Sequence, residues 1–264
     1  QGAVININGQ QYSTGQDGLV KLTLVNGSYD YTVTKIGYVD VDRTLVVNNS
    51  NVSVDVPMVL RPWNVIFSVT SEGVPVEGAS ITVEGITVET NAGGIAVIGL
   101  VNGIHQYEIS ATEFQTKTGS VTVSNSDTSV QVSLDPVTYP ITFVVRDKTT
   151  PTPALVQDAV VSAKGQSVLT NASGEAVLQL PKGDFEVSIT KQNYISTTTQ
   201  ITVTGIDTIN VQIDRIYLLD FTVTGEQGTI LSGAKVVVSG EAIVLPAGQS
   251  SIELTTNDAG RTPQ

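Results

Sequence analysis

The stretch "TNASGEAVLQLPKGDFEVSITKQNY", residues 170–194, decides the fold of this chain, because it is the third copy of one pattern. The second copy, "TNAGGIAVIGLVNGIHQYEISATEF", occupies residues 90–114, and the first, "TGQDGLVKLTLVNGSYDYTVTKIGY", occupies residues 14–38. The copies thus begin at Thr14, Thr90 and Thr170. A repeat of this length indicates that one structural unit recurs in tandem along the chain.

Four landmarks mark each unit in the same order. They are a small pair that opens a strand, a turn that ends in glycine, a hairpin glycine two residues before a ring, and a terminal aromatic. The four sets are Gly2-Ala3, Gly78-Ala79, Asp158-Ala159 and Gly233-Ala234; Gly18, Gly94, Gly174 and Gly260; Gly27/Tyr29, Gly103/His105 and Gly183/Phe185; and Tyr38, Phe114 and Tyr194. From Thr14 to Thr90 and from Thr90 to Thr170, all four landmarks advance by the same step as the threonine. With the fourth, partial set, this predicts four units.

Apolar and polar residues alternate within each unit, as in "VSVDVPMVL" (52–60), "GSVTVSNSDTSVQVSL" (119–134) and "TQITVTGIDTINVQI" (199–213). Alternation with period 2 between Asn-Gly, Asp-Gly or Ser-Gly turns predicts half-buried antiparallel strands. No window has a sustained helical period. About seven short strands per unit are typical of a β-sandwich. The predicted fold class is therefore all-β, with tandem immunoglobulin-like seven-stranded sandwiches.

The predicted domains are residues 1–60, 61–136, 137–215 and 216–264. Unit one lacks the first strand, which "VIFSVTSEGVPVE" supplies in unit two. Unit four stops just after its turn glycine and lacks the later strands. The joins "LRPW", "LDPVTYP" and "IDRIY" contain no Gly/Ser-rich spacer. Short joins of this kind predict that the domains are held as an extended, semi-rigid rod.

The motif "G-A-x-[IV]-x-[VA]" followed by "T-N-A-x-G-x-A-x-[IL]-x-L-x-x-G-x-[FHY]" resembles the carboxypeptidase-regulatory-like domain, a transthyretin-like sandwich related to the B-type repeats of Gram-positive collagen adhesins. The resemblance covers units two and three completely and the other two in part. It implies tandem modules of bacterial or archaeal surface proteins, which serve as stalks, filament segments or carbohydrate-binding appendages. Many such adhesin repeats carry a Lys–Asn isopeptide bond. Only Lys148 lies near the required first-strand position, so we do not expect this bond.

Composition excludes several classes of partner. The net charge of −12 argues against nucleic acid and against an anionic membrane surface. The chain has no cysteine, so disulfides and thiolate metal sites are not available. No apolar run reaches the roughly 18–20 residues of a membrane span. The chain opens with Gln1 and has no signal-peptide pattern, so we expect a removed leader or a longer parent protein.

No catalytic, cofactor-binding or metal-binding residue is predicted. His105 is the sole histidine, and it occupies the position of Tyr29 and Phe185, which favours a packed ring over a catalytic base. Asp40 and Asp42 begin like a calcium loop, but the glycine and the closing Glu that this loop needs are missing. Calcium near Asp55, Asp135 or Asp214 is the less favoured interpretation, because solvated acidic residues explain the same pattern. Trp63, the sole tryptophan, is predicted to fill the interface between units one and two, with sugar stacking as the alternative.

The leading functional hypothesis is a non-enzymatic structural module of an extracellular stalk, filament or adhesin on a prokaryotic surface. Unit one has an open sheet edge and unit four begins with "IYLLDFTVTG", so copies could polymerise head to tail by β-strand complementation. The competing interpretation is a longer array cut at both ends. A carbohydrate-binding or host-attachment module, including one on a phage virion, and an accessory region of a surface hydrolase are the alternatives. The expected partners are other copies or neighbouring repeats, with surface glycans as the alternative.

Overall fold

The structure is a computed structural model, and it describes residues 1–148, 152–217, 219–239 and 251–262. Nearly all regular structure in these ranges is β-strand. The chain divides into two compact units, Gln1–Val137 and Thr138–Gln264. No helix among the described residues has the length and apolar character needed to cross a membrane. The prediction of an all-β chain is confirmed.

The first repeat forms a single four-stranded antiparallel sheet with the order β2-β1-β3-β4. Its strands are β1 (Val4–Ile7), β2 (Gln10–Ser13), β3 (Gly27–Thr34) and β4 (Val41–Val47). Ile7, Tyr31 and Val33 are the buried residues on the inner face of this sheet. The stretch 52–60, which was predicted as a strand, forms only one isolated bridge at Leu60.

The second repeat is a sandwich of two sheets. Its strands are β5 (Trp63–Ser71), β6 (Val74–Pro75), β7 (Ser80–Val83), β8 (Ile86–Glu89), β9 (Ile95–Leu100), β10 (Gly103–Ser110), β11 (Lys117–Val123) and β12 (Thr128–Ser133). One sheet has the order β11-β10-β7-β8, which matches the sheet of the first repeat. In the other sheet, β5 lies between β9 and β12, and the short β6 pairs with its end.

The third repeat has the same architecture. Its strands are β13 (Thr138–Asp147), β14 (Val160–Ala163), β15 (Gln166–Leu169), β16 (Glu175–Pro181), β17 (Gly183–Thr190), β18 (Thr197–Val203) and β19 (Asp207–Ile213). The sheets are β15-β14-β17-β18 and β16-β13-β19. The seven-stranded sandwich is therefore confirmed for both complete repeats, with the two-residue β6 as an additional strand in the second. Most neighbouring strands pair antiparallel as predicted, but β12 pairs parallel with β5 and β19 pairs parallel with β13.

The described part of the fourth repeat contains one antiparallel hairpin, β20 (Lys235–Ser239) with β21 (Ser251–Thr255), and a short 3₁₀ helix, Glu226–Gly228. Isolated bridges join Thr222 to Arg261 and Thr224 to Ile230. Compared with the other repeats, this hairpin carries about ten extra residues, "SGEAIVLPAGQ" (239–249), of which all but Ser239 lie outside the described residues.

Alternation along β5 explains why the sandwich closes. Val65, Phe67 and Val69 are fully buried, while Asn64 is exposed on the opposite face. Side chains of successive strand residues point to opposite faces, so one set fills the core between the two sheets. The residues of β13 repeat this burial pattern. Hydrophobic burial of these alternating positions is the main force that holds each sandwich together.

The "T-N-A-x-G" motif is a buried brace between two hairpins. The Thr90 hydroxyl accepts a hydrogen bond from Ala79 N–H at 2.8 Å and donates one to the Val76 carbonyl at 2.6 Å. Thr170 and Thr256 make the equivalent pairs of bonds in their repeats. Gly94 closes the turn with φ +71°, and a Cβ there would overlap the Val69 carbonyl, so only glycine fits.

Candidate functional site

His105 is a structural residue with both ring nitrogens engaged. It lies in β10 and is 5% exposed. Its Nδ1 is 2.7 Å from Glu84 Oε1, and its Nε2 is 2.9 Å from the Val101 carbonyl oxygen. In the first repeat, the Tyr29 hydroxyl donates to the Val25 carbonyl at 2.8 Å, which is the equivalent bond. The imidazole therefore takes the place of a tyrosine that ties the start of the strand to the preceding turn.

The pKa of His105 is raised above its usual value of 6.5. Burial alone would lower this pKa, but hydrogen bonds to the Val101 carbonyl and to Glu84, together with the charge of Glu84, outweigh the burial. The physical reason is that both partners are acceptors, and only the protonated ring has two N–H groups to donate.

Three of the five aspartates considered for calcium binding lie beside basic groups. Asp135 lies 3.2 Å from Lys117 Nζ, and Asp214 lies 3.3 Å from Lys148 Nζ. Asp40 lies 3.8 Å from the Arg61 guanidinium. Within the described ranges, no group of three or more His, Asp or Glu residues is placed to hold a metal ion. Lys148, the residue considered for an isopeptide bond, thus lies beside an aspartate.

The candidate functional feature is a pair of apolar segments in the first repeat that form no strand ladder. In the second repeat β5 fills the space between β9 and β12. The offset between Thr14 and Thr90 assigns 19–24 as the counterpart of β9 and 52–57 as the counterpart of β12. These two segments, which we call the groove walls, pack against the first sheet, yet no strand of the described chain lies between them. Neither wall forms a ladder, since no described strand lies beside it to supply hydrogen bonds.

The side chains of the groove walls are less buried than their counterparts. Ile98, Leu100 and Leu134 are 4%, 4% and 1% exposed. The counterparts in the first repeat, Leu22, Leu24 and Met58, are only half-buried. Val54 on the second wall is 45% exposed. Higher exposure at several equivalent positions is expected where no core strand covers the apolar side chains.

The first sheet carries an aromatic ring, Tyr31, whose counterpart in the second repeat contacts a phenylalanine of β5. In the second repeat, Phe67 of β5 contacts Tyr107 edge to face, with ring centroids 5.2 Å apart. Tyr31 is the counterpart of Tyr107 in the first repeat. Arg43 donates from Nη1 to the Asp55 carbonyl at 3.3 Å and so links β4 to the second wall. Tyr31 is only 6% exposed, so the surrounding side chains of the first repeat already cover this ring.

A segment of the right type is exposed in the fourth repeat. Val69, Val145 and Val223 each donate a backbone hydrogen bond to the turn glycine of their own repeat, which aligns the three first strands. The inward positions of β5 are Trp63, Val65, Phe67 and Val69; those of the fourth repeat are Tyr217, Leu219, Phe221 and Val223. Tyr217 and Leu219 are 66% and 65% exposed, whereas Val65 is fully buried.

The junctions between repeats share one geometry. After the first repeat, Arg61 N–H donates to the Gly37 carbonyl at 2.9 Å. After the second and third repeats, Val137 donates to the Glu113 carbonyl and Ile216 to the Asn193 carbonyl, at 2.8 and 2.7 Å. The chain that leaves each repeat is thereby bonded back to the turn of that repeat.

Trp63 lies at the first of these junctions. It packs against the core of the second repeat, and the Arg61 guanidinium lies 5.8 Å from its ring centre. Sequence reasoning considered Trp63 but missed Tyr31 and the groove walls as specific residues. The signal that could have found them was the offset between the first two copies, applied to the inward positions of β9, β10 and β12.

Comparisons with known proteins find likeness only among solved structures. The chain is similar to the TIE protein of Bacillus anthracis, with 17% identity and a TM-score of 0.44, over 99% of this chain and 58% of that one. It is similar to GBS52, the minor pilin of Streptococcus agalactiae (13%, TM-score 0.30, 60% of this chain and 98% of that one). It is also similar to the shaft pilin SpaA from Lactobacillus rhamnosus GG (11%, TM-score 0.31, 60% and 99%).

This chain therefore spans less than two thirds of the TIE protein. Scores and identities this low assign neither a function nor a partner. No family model and no curated sequence matches the chain. The resemblance to carboxypeptidase-regulatory-like domains accordingly stays a prediction, and nothing in these comparisons points to a virion.

Proposed function

We propose that this chain is a structural segment of an extracellular stalk, filament or adhesin on a prokaryotic cell surface, and that its copies join head to tail by β-strand complementation. The observation that carries the proposal is the combination of two apolar segments without a strand ladder in the first repeat and an exposed segment of the matching type in the fourth. Contacts between two different surfaces run head to tail and give filaments when they do not close.

The junction geometry supports a mechanical role. Each exit segment is held by a backbone hydrogen bond to the turn of its own repeat, and the same bond recurs at Gly37, Glu113 and Asn193. A force applied along the chain would act on these hydrogen bonds and on the ladders of β5 and β13 before it acted on the hydrophobic cores. Regular sandwiches with hydrogen-bonded exits are suited to hold one part of a surface protein away from another.

We further propose that the chain has no catalytic activity of its own. General acid–base catalysis needs a titratable group that can reach a substrate proton. The sole histidine, His105, is buried and engaged at both nitrogens. Its counterpart Tyr29 makes the same carbonyl bond, which fits a role in tying the turn to the strand.

The unpaired backbone groups and apolar side chains of the groove walls would drive polymerisation. The groove walls offer backbone N–H and C=O groups and half-buried apolar side chains to an incoming strand. Strand addition at such an edge combines main-chain hydrogen bonds with side-chain pockets at alternate positions. The fourth repeat exposes alternate apolar side chains on its first segment, which is the complementary requirement.

Assembly of the purified chain tests the proposal. We expect size that grows with concentration in light scattering, and linear particles in electron microscopy. Deletion of residues 216–264 should abolish both, because it removes the exposed segment, whereas His105→Tyr should leave both unchanged. A chain that stays monomeric at every accessible concentration, or a deletion variant that still assembles, would contradict polymerisation by strand exchange.

A further inference from the structure

We propose that the first and second repeats form one rigid body, because the turn 35–38 of the first repeat packs against a hydrogen-bonded asparagine pair, Asn102 and Asn125, of the second. Both repeats belong to the same compact unit, Gln1–Val137. We call this turn and this asparagine pair the first joint. The joint lies within a single chain, so it does not depend on the assembly of copies.

The asparagine pair is a preformed surface of the second repeat. Asn102 follows β9 and Asn125 follows β11. The Asn102 Nδ2 group donates to Asn125 Oδ1 at 2.7 Å, and the Asn125 backbone N–H donates to Asn102 Oδ1 at 2.7 Å. Because the two bonds use both ends of one amide, they fix the orientation of the Asn102 side chain.

Gly37 of the first repeat lies directly against this pair. Its φ is +83°, and a Cβ at this position would lie 2.9 Å from Asn102 Nδ2 and 3.8 Å from Asn125 Oδ1. The shorter distance is below the range of real Cβ contacts, so any side chain here would displace the Asn102 amide from its bond to Asn125. Glycine therefore permits both the positive φ of the turn and the close approach of the two repeats.

The covalent link between the two repeats is short and bonded at both ends. Arg61 N–H donates to the Gly37 carbonyl at 2.9 Å, which ties the start of the link to the first repeat. Asn64 N–H donates to Asp127 Oδ1 at 2.7 Å, which ties its end to the second. Two residues lie between these anchors, and the first of them, Pro62, has a fixed φ. The link therefore has little conformational freedom.

The Arg61 side chain adds a further connection between the repeats. Its guanidinium lies 3.8 Å from Asp40 of the first repeat and 5.8 Å from the ring centre of Trp63. Trp63 packs against the core of the second repeat. Each of these partly exposed contacts is weak, but together with the seated turn they oppose rotation about the link.

The first repeat contains an equivalent asparagine pair that serves as a matched control. Asn26 Nδ2 donates to Asn49 Oδ1 at 2.6 Å, and Asn49 N–H donates to Asn26 Oδ1 at 2.8 Å. Asn26 precedes β3, whereas the turn 35–38 follows β3, so this pair lies at the other end of the strand from the first joint. Loss of the Asn26 amide removes the same kind of bonds without touching the joint.

Distance measurements between spin labels on the full chain test the rigidity of the joint. The chain has no cysteine, so Gln11→Cys in the first repeat and Gln106→Cys in the second, both at exposed positions, can be labelled specifically. Labels at Gln106→Cys and Ser129→Cys, both in the second repeat, give the width of the distance distribution that the labels alone produce. We expect the distribution between the repeats to be as narrow as this reference, and a distribution about twofold wider or more would overturn the proposal.

Gly37→Leu should free the joint. We expect it to widen the distribution between the repeats by about twofold or more, since domains that lose their interface move relative to each other. Gly73→Leu is the control, because Gly73 has the same φ of +83° but a Cβ there would meet no described atom within 4 Å. Equal widths for the Gly37→Leu and Gly73→Leu chains would show that the contact with Asn102 does not hold the repeats.

Asn102→Ala is a second test that leaves the turn itself unchanged. It should also widen the distribution between the repeats, whereas Asn26→Ala should leave it as narrow as in the unmodified chain. Circular dichroism checks that each variant keeps its β-sheet content, and if Gly37→Leu unfolds the chain, the comparison of Asn102→Ala with Asn26→Ala decides. The same width for these two variants would overturn the proposal.

Discussion

Replacement of Thr90 by Val should destabilise the second repeat strongly, although the two side chains have almost the same shape. The Thr90 hydroxyl is the hydrogen-bond partner of both Ala79 N–H and the Val76 carbonyl. Thr90 is 4% exposed, Ala79 is 0% exposed and Val76 is 8% exposed, so water cannot readily replace the lost bonds. An unsatisfied buried donor or acceptor costs about 1–3 kcal/mol each, which gives about 2–6 kcal/mol for the pair.

Urea denaturation of the full chain, followed by tryptophan fluorescence, measures this loss. Trp63 is the only tryptophan and packs on the core of the second repeat, so its emission reports on that repeat. At an m-value of about 1 kcal/mol/M, the midpoint should fall by about 2 M or more. The m-value itself should stay unchanged, since the surface exposed on unfolding is the same.

Thr82→Val is the matched control in the same repeat. Thr82 shares a hydroxyl contact of 3.0 Å with Thr87 on the exposed face of the sheet. Loss of an exposed contact changes the free energy of unfolding by about 0.5 kcal/mol or less. Equal midpoints for the two variants would show that the Thr90 hydroxyl does not brace the hairpins, and the physical explanation of the repeat motif would be wrong.

Three further predictions concern the second repeat. Since its folded pKa is raised, protonated His105 stabilises the repeat below its ordinary pKa of 6.5, and this contribution is lost as pH rises through the folded pKa; the urea midpoint should therefore fall as pH is raised above 6.5, and His105→Tyr should remove that part of the pH dependence. Gly94→Ala should lower the free energy of unfolding several times more than Gly85→Ala, as measured by urea denaturation. Both glycines have positive φ, but only a Cβ at position 94 would overlap a backbone carbonyl. Residues 61–136 expressed alone should unfold cooperatively with a β-type circular dichroism spectrum, and a helical spectrum would contradict the fold.

Much of the fold could be predicted from the sequence because its signals are local. Alternation with period 2 and turns that require glycine act over a few residues, so they identify the strands of the second and third repeats directly. The recurrence of His105 at the position of Tyr29 identified a packed ring from spacing alone. Its bond to Glu84 could not be predicted, because that contact joins residues on different hairpins.

The tertiary structure alone decided which alternating segments become strands. Residues 19–24 alternate as β9 does, and residues 52–57 alternate as β12 does, yet neither forms a ladder. A strand requires hydrogen bonds from a neighbour, and no described strand of the first repeat takes the position that β5 has in the second. The sequence by itself therefore determined the unit, its turns and its inward residues. Strand pairing, including the parallel ladders of β12 and β19, depends on partners far along the chain, which local pattern does not encode.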